Sequence, residues 1–166
     1  MKGTTIEEKL MTKRLTAPEM KLVRDTIRLV ASGAPEFIDI TPEVLRVVDA
    51  SGVQEGTVTV FSRHTTAAVK INENEPLLLR DMAQFLERSA PRTADYRHND
   101  FVIRTVNMTE DECPNGHSHC QHLLLGASET IPIADGIAMI GRWQSVFFIE
   151  LDRPREREIV IQVQGW

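Results

Sequence analysis

Five histidines are the residues of this sequence best suited to chemistry. Imidazole titrates near neutral pH and, when neutral, ligates divalent metals. His64, His98 and His119 are each expected at the end of a structural element, beside polar residues. They lie too far apart in sequence to share a helical turn, so only the tertiary fold can unite them. If it does, they form a tris-imidazole site for a divalent ion, zinc or magnesium, with Glu73 and Asp100 as acceptors for the other ring nitrogens. His119 and His122 fall on one helical face, whereas His117 joins His119 only by lying before the first turn. The alternative is that these histidines bind carbonyls and carboxylates near a helix start. Neither the full zincin signature nor paired C-x-x-C knuckles accompany them.

Two further groups are candidates. Asn72-Glu73-Asn74-Glu75 is a dense polar knot between an apolar strand and an apolar helix, where sites often gather. One of its members, Asn74 or Glu75, is expected to cap the helix opened by Pro76. Gly141-Arg142-Trp143-Gln144 reads as a hairpin, with Trp143 either a wall on which a ring substrate stacks or plain core. Glu150 closes an apolar strand and would be costly to bury unpaired, with Arg153, Arg155 and Arg157 nearby as partners or as phosphate ligands. No dinucleotide, Walker, nucleophile-elbow or kinase motif is present, and neither Cys113 nor Cys120 sits in a nucleophile motif.

The elements that must position these groups follow from patterning. The chain has 166 residues, 42% hydrophobic and 26% charged, which fits one globular domain. Its net charge of −5 does not favour nucleic-acid binding. No apolar run approaches a membrane span, and the N-terminus lacks a secretory h-region, so a cytoplasmic location is the default. Residues 1–22 read as an N-terminal arm and 23–166 as a single domain. Strands are expected at Arg24–Val30, Glu36–Ile40, Thr57–Arg63, Asp100–Val106, Thr130–Ile133, Ile137–Ile140, Trp143–Leu151 and Glu158–Val163, with His64–Ile71 also extended. Helices are expected near Pro42–Ser51 (with Thr41 as N-cap), Pro76–Ser89 and Gly116–Leu125 (with Asn115 as cap). Leu77, Leu78, Met82, Phe85 and Leu86 form the apolar stripe of the second. Strict βαβ alternation is absent. The expected fold class is α+β, with stacked, mainly antiparallel sheets and about three helices.

Five segments in order resemble the YjbQ family, UPF0047, whose members are described as secondary thiamine-phosphate synthases. They are HTTAAVKINENEP with Asp81, YRHND, NGHSHCQHLLLGASETIPI, GRWQ and ELDRPRER. The resemblance covers about Arg24 to Gln164. It implies an α+β fold with sandwiched sheets, a homotrimer, and a histidine-lined site near subunit boundaries, sometimes with a bound metal. The implied activity joins a pyrimidine diphosphate to a thiazole phosphate. By position it carries over His64, Asn72, Glu73, Asn74, Asp81, His98, His119, Gly141, Trp143, Gln144 and Glu150. Arg142 stands where Thr is frequent, Arg153 where Gly is frequent, and His117 is an additional histidine.

Residues and resemblance together assign catalytic roles to His64, Glu73, Asn74, His98 and His119, and metal ligation to His64, His98 and His119. Asn72, Arg142, Trp143, Gln144 and Arg155 are assigned to substrate binding. A transferase acting on a small phosphorylated heterocycle is one reading. A trimeric accessory protein that binds metal or small anions is another, and a metal-dependent hydrolase with Glu73 as base is a third.

Overall fold

Eight strands and three helices make up residues 19–166, which the computed structural model describes. Strands β1 (Lys21–Val30), β3 (Gly56–Ser62), β5 (Ser128–Ala134), β6 (Ile137–Ala138) and β8 (Glu156–Gly165) form one sheet in the order β1-β8-β3-β5-β6. A smaller sheet has the order β2-β7-β4, from Glu36–Asp39, Ser145–Glu150 and Ala67–Asn72. Every pairing is antiparallel. The α+β class with stacked antiparallel sheets and three helices is as expected. The assigned arm, 1–22, falls outside the described residues except for its last four, of which Lys21 and Leu22 pair with Gly165 and Gln164.

Alternation along the strands explains the layering, because successive side chains point to opposite faces. On β8, Ile159, Ile161 and Val163 face inward; on β7, Val146 and Phe148 do, meeting Val58 and Val60 of β3 and Val69 of β4. Helix α1 (Thr41–Ser51) adds Val44, Val47 and Val48 to this core. The other face of β7, with Phe147 and Ile149, packs under Leu86 of α2 (Pro76–Ser89) and Leu125 of α3 (Gly116–Leu125). Both faces of the small sheet are therefore covered, which accounts for the unbroken apolar run VFFI.

Glu150 continues the inward-facing set of β7, and Arg157 that of β8. They meet at the end of the sandwich away from α1, where Arg157 Nε and Nη2 donate to the two Glu150 oxygens. Both side chains are almost fully buried, and Glu150 also accepts the backbone N–H groups of Asp152 and Arg153. A buried carboxylate is tolerable only with such complete partnering.

Several local expectations change. Asp100–Val106 is a turn and not a strand. The Asp100 carboxylate accepts the N–H groups of Val102 and Ile103, and Arg104 N–H donates to Asp100 O, which gives the backbone a local alternative to a ladder. The last strand-rich segment begins at Ser145, leaving Trp143 in a turn and 64% exposed, so it is not core. Thr41 is the first helical residue and not the cap; its N–H donates to Asp39 Oδ1 and its hydroxyl accepts from Val146 N–H. Glu75 does cap α2, accepting from Leu77 and Leu78 N–H. Of the α2 stripe only Leu86 is buried, while Leu77 and Phe85 stay exposed.

Candidate functional site

His64 follows β3, His98 sits in a single 3-10 turn (Arg97–Asn99), and His119 lies in the first turn of α3. The fold brings all three to one pocket of about 480 Å³. Arg63, Arg104, Arg155 and Arg157 also line it, as do Asn107, Glu112 and Asn115. Thr65 and Thr66 complete the wall beside His64.

The juxtaposition of His98 and His119 has an identifiable cause. Asn115 is the N-cap residue of α3 but makes no side-chain cap bond. Instead Asn99, one residue after His98, accepts the N–H of Gly116 through Oδ1 at 2.8 Å. The turn thus caps the helix from a distance and satisfies one of its orphan donors. Gly116 makes this approach possible, since a Cβ there would stand 2.6 Å from Tyr96 Cβ. Ser118 Oγ donates to Leu151 O, and Gln121 Nε2 to Leu86 O and Ala90 O, fixing the helix against the small sheet and α2. The result is an edge-on pair of rings, His98 and His119, with centroids 4.6 Å apart.

His64 is fixed differently. Its Nε2 accepts the backbone N–H of Glu158 at 2.8 Å. Burial and the neighbouring Arg157 charge hold its pKa below the ordinary histidine value. Burial, His98 and Arg104 do the same for His119. Both rings are therefore biased to the neutral form.

Each arginine of the pocket has a carboxylate partner. Arg63 pairs with Glu158, Arg104 with Glu112, Arg155 with Asp152 and Arg157 with Glu150. These pairs anchor the guanidinium forks, so the pocket offers oriented N–H donors more than net positive charge. Among the residues lining this pocket, two buried acceptor-capable atoms have no protein partner, Asn115 Oδ1 and His98 Nε2.

The three imidazoles share one pocket, but the Nε2 lone pair of His64 is taken by the Glu158 N–H. Among the described residues no group of three or more His, Cys, Asp or Glu is disposed to hold a metal ion. His64 Nε2 is already engaged, which leaves His98 and His119 as an imidazole pair. Asp100 is not an acceptor for a ring nitrogen, since its carboxylate serves the turn that follows it. His117 is buried with Nε2 against Ser118 Oγ, and it does not line the pocket; neither does His122.

The polar knot lies elsewhere. Ala67 of β4 pairs with Glu150 and Asn72 with Ser145, so Asn72, Glu73 and Asn74 stand at the far end of the strand from His64. Five residue steps put them roughly 17 Å further along. Arg142, Trp143 and Gln144 precede Ser145 and share that far end. There Asn74 donates to Asp39, Asn72 Oδ1 accepts Glu73 N–H, Gln144 Oε1 accepts Gly141 N–H, and Arg142 stacks on Trp143 at 4.7 Å. Of the assigned substrate-binding residues only Arg155 joins the histidines. Within one chain Glu73 cannot serve as a base in this pocket.

Arg63, Arg104, Asn107, Glu112 and Asn115 are site residues that patterning did not select. Arg63 abuts His64 and was readable as its neighbour. Arg104 was hidden by the strand expected over its segment, and Asn115 by its expected role as a cap.

Comparison with known proteins decides the family. The family described as UPF0047 protein YjbQ-like matches residues 25–166. The chain belongs to the UPF0047/YjbQ-like family. A UPF0047 protein of Methanothermobacter thermautotrophicus is 42% identical over 146 residues, covering 88% of this chain and 94% of that one. UPF0047 protein YjbQ of Escherichia coli O157:H7 is 30% identical over 76% of this chain and 86% of its own. Among solved structures, a YbjQ-like protein of unknown function from Sulfolobus solfataricus superposes with a TM-score of 0.80 at 32% identity, covering 89% of this chain and all of that one. An uncharacterized YjbQ/UPF0047 protein from Clostridium acetobutylicum gives 0.74 at 36% identity, over 84% and 98%.

Proposed function

We propose that this pocket binds the phosphate groups of a small phosphorylated heterocycle and carries a transferase reaction of the thiamine-phosphate synthase kind. In that reaction a thiazole nitrogen lone pair forms a bond to the methylene carbon of a pyrimidine diphosphate. The carbon–oxygen bond breaks, and its electron pair leaves with diphosphate. Such a step needs no protein nucleophile. It needs donors that stabilise the departing charge and hold both rings in reach.

The observation that carries this reading is the convergence of His64, His98 and His119 with four carboxylate-anchored arginines in one pocket. Arg63, Arg104 and Arg155 supply fork N–H groups for diphosphate oxygens. Asn115 Oδ1, buried and without a protein partner, suits a donor on the heterocycle such as an exocyclic amino group. Purified protein given the two precursors should release thiamine phosphate and diphosphate, and His119→Ala should lower that rate about 100-fold, whereas Glu73→Gln should change it by less than about threefold. Absence of product under any condition that supports precursor binding would refute the reading.

A second reading, an accessory protein that binds small anions or a divalent ion without turnover, draws on the same donors. Binding of both precursors with no product, unaffected by His119→Ala, would favour it. An ion in this setting would fall to the His98–His119 pair. Assembly as a homotrimer and a cytoplasmic location complete the proposal. Light scattering at micromolar concentration tests the first, and a stable monomer would refute it. Among the described residues no helix is long and apolar enough to cross a membrane.

A further inference from the structure

The hydrogen bond to His64 has a consequence for what that ring can do. Glu158 N–H donates to Nε2 at 2.8 Å, so Nε2 must carry a lone pair and no proton. A neutral imidazole with a bare Nε2 has its proton on Nδ1. Glu158 is not free to turn away. Its residue lies in β8, and its carboxylate is held from two sides by Arg28 and Arg63. Arg157, the residue before it, is locked to Glu150 in the buried ion pair that closes the sandwich. The donor that sets the tautomer therefore belongs to a strand residue next to that buried ion pair.

His64 also lines that pocket. With Nε2 occupied, the polar ring atom left for a ligand is Nδ1–H, a donor. A base or a metal ligand needs a free lone pair, and neither ring nitrogen offers one here.

We propose that His64 serves the pocket as a tautomer-locked neutral hydrogen-bond donor, presenting Nδ1–H to an anionic oxygen of the ligand, and is neither the general base nor a metal ligand. This deepens the phosphate-binding reading above and rests on it for the identity of the acceptor. The tautomer itself rests only on the His64–Glu158 contact.

Long-range ¹H–¹⁵N correlation spectra of the full-length protein at neutral pH test the tautomer. His64 should show an unprotonated Nε2 and a protonated Nδ1. An Nε2–H tautomer or a doubly protonated ring would overturn the proposal. Inorganic pyrophosphate then probes the donor. Its addition should shift the Nδ1–H resonance of His64; if it binds and that resonance stays still, the proposal fails while the phosphate-binding reading stands. If pyrophosphate does not bind at all, that reading fails, and the anionic acceptor proposed for His64 fails with it.

Substitution sharpens the test. An Asn amide nitrogen can occupy the place of Nδ1, and a Gln amide the place of Nε2. Pyrophosphate affinity should fall roughly tenfold or more in His64→Ala and His64→Gln, but only about threefold in His64→Asn. Equal losses in Asn and Ala, with both variants folded by circular dichroism, would overturn the donor role. Zinc added to the wild type supplies the last arm. Any coordination should move the ring nitrogens of His98 and His119, and a coordination shift at His64 would refute the proposal.

Discussion

The two ends of the small sheet carry similar polar residues and treat them differently. At the end holding Asn72, Asn74 and Gln144, side-chain groups are used locally. Asn72 accepts the next N–H, Asn74 donates to Asp39, Gln144 closes its own turn, and Glu75 caps α2. At the end holding Glu150, groups come from remote segments and leave capacity over: Asn115 Oδ1 and His98 Nε2 are buried without partners. Buried polar groups are normally paired, so unused capacity inside a pocket points to a ligand. Within a single chain, the candidate site is at the second end.

The sharpest way to break this contrast is through the ion pair that closes that end. Glu150→Gln should cost about 3–5 kcal/mol of unfolding free energy, because Arg157 would be left buried beside a neutral partner. Replacing both partners by apolar residues, Glu150→Leu with Arg157→Met, should cost less than the single change. Urea denaturation of the three proteins checks this. A single variant that loses less than about 1 kcal/mol would mean water reaches the pair.

Gly116→Ala should act on the site more than on the fold. The new Cβ would meet the root of the Tyr96 side chain, which cannot swing aside. Overpacking of this kind costs about 1–3 kcal/mol. Displacing the turn that bears His98 should lower pocket function by about 100-fold. An unchanged level of the proposed synthase activity would show that the His98–His119 geometry does not matter.

Acid should weaken the fold through its histidines before its carboxylates. His64, His117, His119 and His122 all have pKa values lowered by burial, so the unfolded chain binds more protons as pH drops below about 6.5. Stability should be fully present above that pH and decline towards pH 5. The carboxylates with lowered values, among them Asp39, contribute their loss only at still lower pH. Burial alone would raise Asp39, but hydrogen bonds from Thr41, Asn74 and Ser145 outweigh it. Denaturant midpoints at half-unit pH steps measure the profile, and His117→Asn should flatten it. A midpoint constant from pH 7 to 5 would contradict the burial of these rings.

The smallest expected effect belongs to the far end. Glu75→Ala removes a cap that serves Leu77 and Leu78, and should cost about 1 kcal/mol with the pocket chemistry unchanged. A loss of the proposed activity there would mean that the two ends communicate.

Much of the fold was readable in the sequence because its rules are local. Alternation located β1, β3 and β8, and Pro42, Pro76 and Gly116 marked helices whose ends agree to within a residue. The failures were equally local in origin. Asp100 reads as the start of an apolar alternation, yet its carboxylate binds the next two N–H groups and turns the chain. The histidines could be singled out because imidazole is rare and chemically distinctive. Their shared placement at element ends was legible too. What decided the site was which ends the antiparallel register brings together. Pairing Ala67 with Glu150 fixes His64, Thr66 and Arg157 at one end and sends Asn72 and Trp143 to the other. Residue types and spacing thus determined which groups could act, since those depend on side-chain chemistry and the strand and helix periods. Strand register, the remote Asn99 cap and the Glu158 N–H decided which of them meet and which ring atom remains available, because each joins segments far apart in the chain.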